Sequence, residues 1–368
     1  MRSVAALAAI MVVALACGGS TGHSPSPAAS AGATASPSAS PSSGPSVASY
    51  GLLLTAGTLE MVTPTGAVAA HATVAAPSVH TCGQSTAALL QPPVSASDNK
   101  VYYRDGNTKI KFLTPDGQTG NVTTVPGSAS KVSFFSVSPD DTRIAVLVED
   151  LSPSTTIKLS LYVEDLTGHT NHSVIFTNTI PKYKNGNTLW PMGWHQGLLA
   201  LAVWPPCTFE GGRVALEWHV ANATTAVRVA KIGNPCIPSN WPSPAGVACV
   251  DSSTQQAIRY EWAGHVTGGT TTQGSDFESG LSPSGRSMFL TPGESIGNPP
   301  PSTRIVVLGT GGASSVQGHS ACLWIDEDHL LAPDAVIAFP SSATSTVASK
   351  VTALPARGEC AGRFPGGL

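Results

Sequence analysis

Short apolar runs rich in β-branched residues, separated by glycine and proline turns, fill the chain from about residue 49 to its end. Apolar and polar positions alternate within many of these runs, and no apolar pattern of helical period persists. Proline fixes φ and glycine permits positive φ, so their frequent recurrence marks turns rather than helices. The pattern predicts an all-β domain built from many short strands.

The clearest pair of strands lies between Phe134 and Gly168. Its first part, Ser-Val-Ser-Pro-Asp-Asp-Thr-Arg-Ile-Ala-Val (136–146), places a tight Ser-Pro-Asp-Asp turn before a buried strand. Its second part, Leu-Tyr-Val-Glu-Asp-Leu-Thr-Gly (161–168), ends in a turn toward an outer strand. This unit resembles the repeat of TolB-like and WD-repeat-like β-propellers. The resemblance implies four-stranded blades stacked around an axis.

The unit recurs along the chain. Further copies lie at Ser97–Tyr103 with Ile110–Gly117, at Leu281–Phe289 with Arg304–Gly312, and more weakly at Trp194–Leu199 and Trp324–Leu331. The turn into the outer strand falls at Thr63, Thr114 and Asp165 at equal intervals, and again near Asn222, Gly264, Gly309 and Ser342. Seven units of roughly 46 residues match the length of a propeller blade. We therefore expect a single propeller of seven four-stranded blades, with six blades and an irregular insertion as the alternative.

The first unit, Tyr50 to Val74, lacks an innermost strand. The segment Gly358 to Phe364 at the other end of the chain has the composition to supply it. Closing the ring in this way limits the number of exposed sheet edges. We expect the last strand to complete the first blade.

The beginning of the chain has the features of an export signal. Arg2 precedes the apolar stretch Val4–Ala16, which is too short to span a bilayer as a stable helix. Cys17, preceded by Leu15 and Ala16 and followed by glycines, resembles the lipobox of bacterial lipoproteins, although that family usually has leucine one position earlier. The resemblance implies cleavage before Cys17 and a lipid on its thiol, which would anchor the protein at the extracytoplasmic face of a bacterial membrane. The alternative is an ordinary secretory signal and a secreted protein.

Residues 17–48 contain little besides serine, proline, alanine, glycine and threonine after the cysteine. Such a segment has no large apolar residues to bury, so we expect a disordered tether. The predicted organisation is a signal peptide at 1–16, a lipidated cysteine and tether at 17–48, and a propeller at 49–368. Charged residues make up 11% of the chain and the net charge is −3. This balance predicts no nucleic-acid partner.

Six cysteines remain after Cys17, and an even number in an exported domain predicts disulfides. The preferred pair is Cys236 with Cys249, which would face each other across one hairpin. The pairs Cys322 with Cys360 and Cys82 with Cys207 follow by elimination, and buried free thiols are the alternative.

Candidate chemistry is sparse. His169 and His172 are the only closely spaced histidines, and we interpret them as polar residues of an exposed loop. Turn formation accounts for Asp140 and Asp141. We therefore predict no catalytic residue, no metal ligand and no cofactor.

The seven tryptophans offer the best candidates for binding. Trp194, Trp204 and Trp324 fall within or beside strand patterns, which indicates packing between blades. Trp190 and Trp241 stand next to prolines and are the candidate surface residues for a ligand.

Two functions fit this pattern. The first is a membrane-anchored binding or scaffold module that is not an enzyme and takes a protein or small-molecule ligand at its rim loops or axial funnel. The second is a hydrolase or lyase whose acids or histidines converge at the axial funnel from different blades.

Overall fold

Seven antiparallel sheets of four strands each form the blades of a closed β-propeller. The computed structural model describes residues 48–78, 93–182, 186–204, 215–274, 276–292, 301–339 and 349–368. No helix occurs within these ranges, and so none is long and apolar enough to span a membrane. The expected all-β fold and the count of seven blades are confirmed. The signal segment, Cys17 and the tether up to residue 47 lie outside the described residues.

In each blade the strands follow one another outward from the axis. The first three blades contain β28 (Glu359–Phe364), β1 (Tyr50–Thr55), β2 (Thr58–Val62) and β3 (Val68–Thr73); β4 (Val94–Ala96), β5 (Val101–Asp105), β6 (Lys109–Leu113) and β7 (Thr119–Thr124); and β8 (Lys131–Val137), β9 (Arg143–Asp150), β10 (Thr156–Asp165) and β11 (Ser173–Pro181). The next two contain β12 (Thr188–His195), β13 (Leu198–Trp204), β14 (Glu217–Asn222) and β15 (Arg228–Gly233); and β16 (Ile237–Pro238), β17 (Val247–Asp251), β18 (Gln256–Tyr260) and β19 (Val266–Thr271). The last two contain β20 (Asp276–Leu281), β21 (Ser287–Pro292), β22 (Ser302–Val307) and β23 (Ala313–Gln317); and β24 (Leu323–Trp324), β25 (His329–Ala332), β26 (Ala335–Ala338) and β27 (Lys350–Ala353).

The turns into the outer strands lie at the positions that the sequence repeat predicted. Backbone hydrogen bonds close them from Thr63 to Ala67, from Thr114 to Gln118 and from Asp165 to Thr170. Corresponding bonds close the turns that begin at Asn222, Glu261 and Val307. Gly264 and Gly309 take positive φ in the last two, a conformation that glycine adopts without strain. The predicted turn near Ser342 lies outside the described residues.

The last strand closes the ring, as the sequence indicated. β28 pairs antiparallel with β1, from Tyr50 opposite Phe364 to Leu54 opposite Glu359. It thereby becomes the innermost strand of blade 1. Beyond it, residues 365–368 cross the neighbouring turns, where the Gly366 amide donates to the Ser97 carbonyl.

The core is divided among the seams between neighbouring blades. Seven clusters of buried apolar side chains are found in the described residues, one at each seam. Tryptophan side chains also bond across seams; for example, Trp194 Nε1 donates to the Ser136 carbonyl (3.2 Å), and Trp324 Nε1 donates to the Gly280 carbonyl (3.0 Å). Burial on both faces of every blade explains why single repeats cannot fold alone.

Candidate functional site

Trp241 occupies the axial space of the propeller. It lies in the loop between β16 and β17, where the buried Ser239 hydroxyl accepts from the Trp241 amide (3.2 Å) and donates to its carbonyl (3.0 Å). The indole packs against the apolar cluster at the seam between blades 7 and 1. Its Cζ3 atom lies 3.8 Å from where a Cβ would stand on Gly362 of β28. The side chain thus reaches from blade 5 toward the innermost strand of blade 1.

Trp241 lines two cavities. The first is also lined by early residues of the innermost strands, among them Ile237, Phe277 and Glu278. The second is also lined by residues near the ends of innermost strands, among them Leu281 and Arg363. Each holds about 350 Å³ of space when the open solvent at its mouth is included.

Phe289 contributes to the walls of both cavities. Its ring sits against the backbone of Gly280, and a Cβ at that position would overlap the ring. The Gly280 carbonyl is also the acceptor for Trp324 Nε1. The absence of a side chain at Gly280 therefore lets a large aromatic ring form part of the axial lining, and packing between blades holds that lining in place.

The two cavities differ in charge. The first has one acid, Glu278, and the second has one base, Arg363. Burial lowers the pKa of Arg363 to about 10, and the negative charge of Glu327 opposes that change. The guanidinium remains protonated at neutral pH. No histidine and no pair of carboxylates lines either cavity in the described part of the chain.

Trp190, the other candidate surface residue, lies within strand β12 at the seam between blades 3 and 4. Its ring stacks on Phe134, with centroids 3.7 Å apart, and on Trp204 at 5.2 Å. Its Nε1 donates to Oε1 of Glu149 (3.0 Å), a carboxyl with no exposed surface. Burial raises the pKa of Glu149 to about 7, with the Trp190 hydrogen bond opposing that rise. Trp190 is thus only partly accessible to a ligand.

His169 and His172 share one buried carboxylate. Their Nδ1 atoms lie 2.8 and 2.7 Å from the two carboxylate oxygens of Glu164, which is 4% exposed. The His172 ring also stacks against Tyr162. Among the described residues no group of three or more histidines, cysteines or acids is arranged to hold a metal ion.

Two of the expected disulfides are present. Cys236 and Cys249 join the two strands of the β16–β17 hairpin region, and Cys322 joins Cys360. The second bond ties blade 7 to the closing strand β28, and Cys322 also lines the first axial cavity. Cys82 and Cys207 lie outside the described residues. The disulfides are consistent with an extracytoplasmic location.

Sequence reasoning did not single out Arg363 or Glu149. Arg363 stands in a short tail segment whose neighbours, Gly362 and Phe364, carry no chemical motif. Glu149 is the last residue but one of the mostly apolar strand β9 and resembles an ordinary boundary residue. The residues around Arg363 and Glu149 belong partly to other blades. Only the structure of the closed ring therefore shows the environment of these two side chains.

No protein-family model matches this chain, and no curated protein matches it either. Solved structures with a similar backbone include an oligogalacturonate lyase in complex with manganese, with 12% identity, a TM-score of 0.45, and coverage of 71% of this chain and 76% of that one. They also include a putative TolB from Agrobacterium tumefaciens, with 13% identity, a TM-score of 0.37, and coverage of 72% and 90%. A third is the dihydro-heme d1 dehydrogenase NirN, with 12% identity, a TM-score of 0.47, and coverage of 87% and 75%. These values are too low to carry any argument about activity. The chain is a seven-bladed β-propeller, and its function has to be argued from its own residues.

Proposed function

We propose that this protein is a binding module whose ligand or protein partner docks at the axial site around Trp241. The observation that carries the proposal is the position of Trp241, which is partly exposed and lines two neighbouring cavities. A partly exposed tryptophan offers a large apolar surface to a partner at a small entropic cost. Rigid packing of Phe289 and Trp324 against Gly280 keeps the site preformed.

The lining favours binding over hydrolysis. Hydrolysis of a sugar by paired acids needs two carboxyl groups across the bond that breaks, and general acid–base catalysis needs a titratable group near neutral pH. The described lining has one carboxylate, Glu278, and one guanidinium, Arg363, in different cavities. This arrangement supports recognition of a ligand.

The proposal includes attachment to the extracytoplasmic face of the membrane through lipid on Cys17. Two acyl chains on one cysteine anchor a protein stably, and the serine- and proline-rich segment after it would let the propeller reach a partner. Membrane fractionation of cells expressing the wild type and Cys17→Ala tests this part. We expect the wild type in the membrane fraction and Cys17→Ala in the soluble fraction. Equal membrane association of both would contradict the anchor.

Cross-linking and pull-down from native membranes test the binding site. We expect specific partners with the wild type and their loss with Trp241→Ala. The control is Val266→Ala, which removes a similarly apolar group from an outer strand where it is 59% exposed. Partners retained by both variants would remove the axial site from the proposal. Partners lost from both would indicate a defect unrelated to Trp241.

A further inference from the structure

Arg363 brings a partly exposed positive charge to the wall of the second axial cavity. It lies near the end of β28 and lines that cavity together with the indole of Trp241. Its Nη2 donates to the Gly367 carbonyl at 3.3 Å, a long hydrogen bond. The negative charge of Glu327 acts on its guanidinium and partly offsets the effect of burial. An enclosed cation is unfavourable unless anionic groups compensate it, so an anionic ligand would add to the effect of Glu327.

Three other arginines, on the second or third strands of their blades, have compensating contacts or line neither axial cavity. Arg304 forms an ion pair with Asp276 at 2.5 Å. Arg143 lies over the ring of Trp194 at 4.8 Å. Arg104 is buried between blades 2 and 3 and donates to the Ser133 carbonyl at 2.6 Å, but it lines neither axial cavity. Arg363 combines weak internal bonding with an adjoining cavity.

Most of the other side chains in the cavity wall are apolar. They include Trp241, Leu281, Phe289, Leu323 and Trp324. The Ser243 hydroxyl is already engaged, because it donates to the Ser282 carbonyl at 2.8 Å. One guanidinium without further donors suits a carboxylate, which it can bind through two parallel hydrogen bonds, better than a phosphate, which usually takes several donors. The apolar walls suit a short hydrocarbon or aromatic group attached to that carboxylate.

We propose that this cavity binds a carboxylate carried on a short apolar or aromatic group, with Arg363 bonding to the carboxylate and Trp241 packing against the apolar part. The carboxylate comes from a free small acid or from the end of a peptide. This inference rests on the proposed binding function and specifies the ligand chemistry of the same site.

Calorimetric titration of the purified full chain with phenylacetate and with phenylacetamide tests the inference. The two probes have nearly the same shape and differ in charge. We expect phenylacetate to bind the wild type at least tenfold more tightly than phenylacetamide, and Arg363→Gln to reduce phenylacetate affinity at least tenfold. Trp241→Ala should weaken both probes. Circular dichroism confirms that each variant is folded, and the comparison of the two probes on the wild type needs no variant at all.

A short peptide with a C-terminal phenylalanine, free or amidated, distinguishes the two sources. Binding of the free peptide but not of phenylacetate assigns the site to a chain end, and binding of phenylacetate assigns it to a small acid. Equal binding of acid and amide, with loss in Trp241→Ala, would overturn the carboxylate inference while leaving the axial site in place. Absence of binding by every probe would also overturn it, and the membrane pull-down would still decide the proposed function independently.

Discussion

Two tryptophans in the same ring have opposite surroundings. At the seam between blades 3 and 4, Trp190 is stacked between two aromatic rings, and its Nε1 is bonded to the buried Glu149. In the axial space, Trp241 lines two cavities, its backbone bonds to the Ser239 hydroxyl of its own loop, and it packs against the apolar cluster between blades 7 and 1. The tryptophan at the seam packs between two blades, whereas we propose that the one at the axis contacts a ligand. Trp190 lies in the innermost strand β12 and Trp241 shortly after the innermost strand β16, so the direction in which each ring extends distinguishes them, not their distance from the axis.

Two charged side chains, Glu149 at the seam and Arg363 at the axis, differ in the same way as the two tryptophans. Glu149 is enclosed at the seam, and burial raises its pKa to about 7. Arg363 borders a cavity, and burial lowers its pKa to about 10, so it remains charged at neutral pH. A seam can neutralise its buried acid by keeping a proton on it. An arginine cannot do so at neutral pH, which leaves its charge available to a ligand.

The largest expected effect concerns the bond that ties the axial wall to blade 7. Replacing Cys322 and Cys360 together by alanine opens a chain loop with a sequence separation of 38, against 13 for Cys236 and Cys249. Loop-closure entropy predicts a loss of about 4 kcal/mol in unfolding free energy for the first pair and about 3 kcal/mol for the second. Thermal unfolding followed by circular dichroism measures both losses.

Amide hydrogen exchange shows which strands are destabilised when each disulfide is removed. Without the Cys322–Cys360 bond, we expect faster exchange in β28, because it joins blade 1 from the far end of the chain. We expect β12, at the seam with blade 3, to keep its protection. Equal acceleration in β12 would mean that the axial wall and the seam form one cooperative unit, which would remove the contrast between them.

A smaller difference separates the two tryptophans. Trp190→Ala removes a stacked ring and leaves Oε1 of Glu149 without its donor, so we expect a loss of about 3 kcal/mol in unfolding free energy. Trp241→Ala should lose about 1 kcal/mol, because part of its surface is already in contact with solvent. Urea unfolding followed by far-ultraviolet circular dichroism compares them without relying on tryptophan fluorescence. Similar losses for both would indicate that Trp241 is a structural residue.

Trp190→Phe separates packing from hydrogen bonding at the seam. Phenylalanine preserves a ring against Phe134 but cannot donate to Glu149. We expect it to recover part of the stability lost in Trp190→Ala. Full recovery would mean that the bond from Nε1 contributes nothing measurable.

The fold was accessible from the sequence because its signals are local and repeated. The turns at Thr63, Thr114 and Asp165 depend on residues within one hairpin, and the same pattern recurs in blade after blade. The missing innermost strand of blade 1 could be inferred from the same repeat. These turns and strands can be recognised in the sequence without knowing which residues pack against them.

The candidate site could be predicted from the sequence only in part, because its residues come together only when the ring closes. Trp190 and Trp241 look alike along the chain, because each precedes a proline. Their roles differ because Trp190 lies in a strand between two blades, while Trp241 lies in a loop that turns inward. The partners of Arg363 come from blades 5, 6 and 7, and no spacing along the chain predicts that meeting.

The last expected effect is a pH dependence of the unfolding free energy that arises from Glu149 at the seam. Burial raises the pKa of Glu149 from 4.5 to about 7, so between these pH values the folded protein holds a proton that the unfolded chain has lost. The free energy of unfolding therefore falls as pH rises from about 4.5 to about 7 and is level above that range, with a total change of about 3 kcal/mol at most and less where the seam relaxes. Glu149→Gln retains an acceptor for Trp190 but does not titrate, so we expect it to flatten this slope. Urea unfolding at several pH values measures it, with Glu60→Gln on β2 as the same change in a partly exposed side chain. An unchanged slope in Glu149→Gln would show that the carboxylate is compensated at the seam in its charged form, and the seam would then resemble the axis in holding a buried charge.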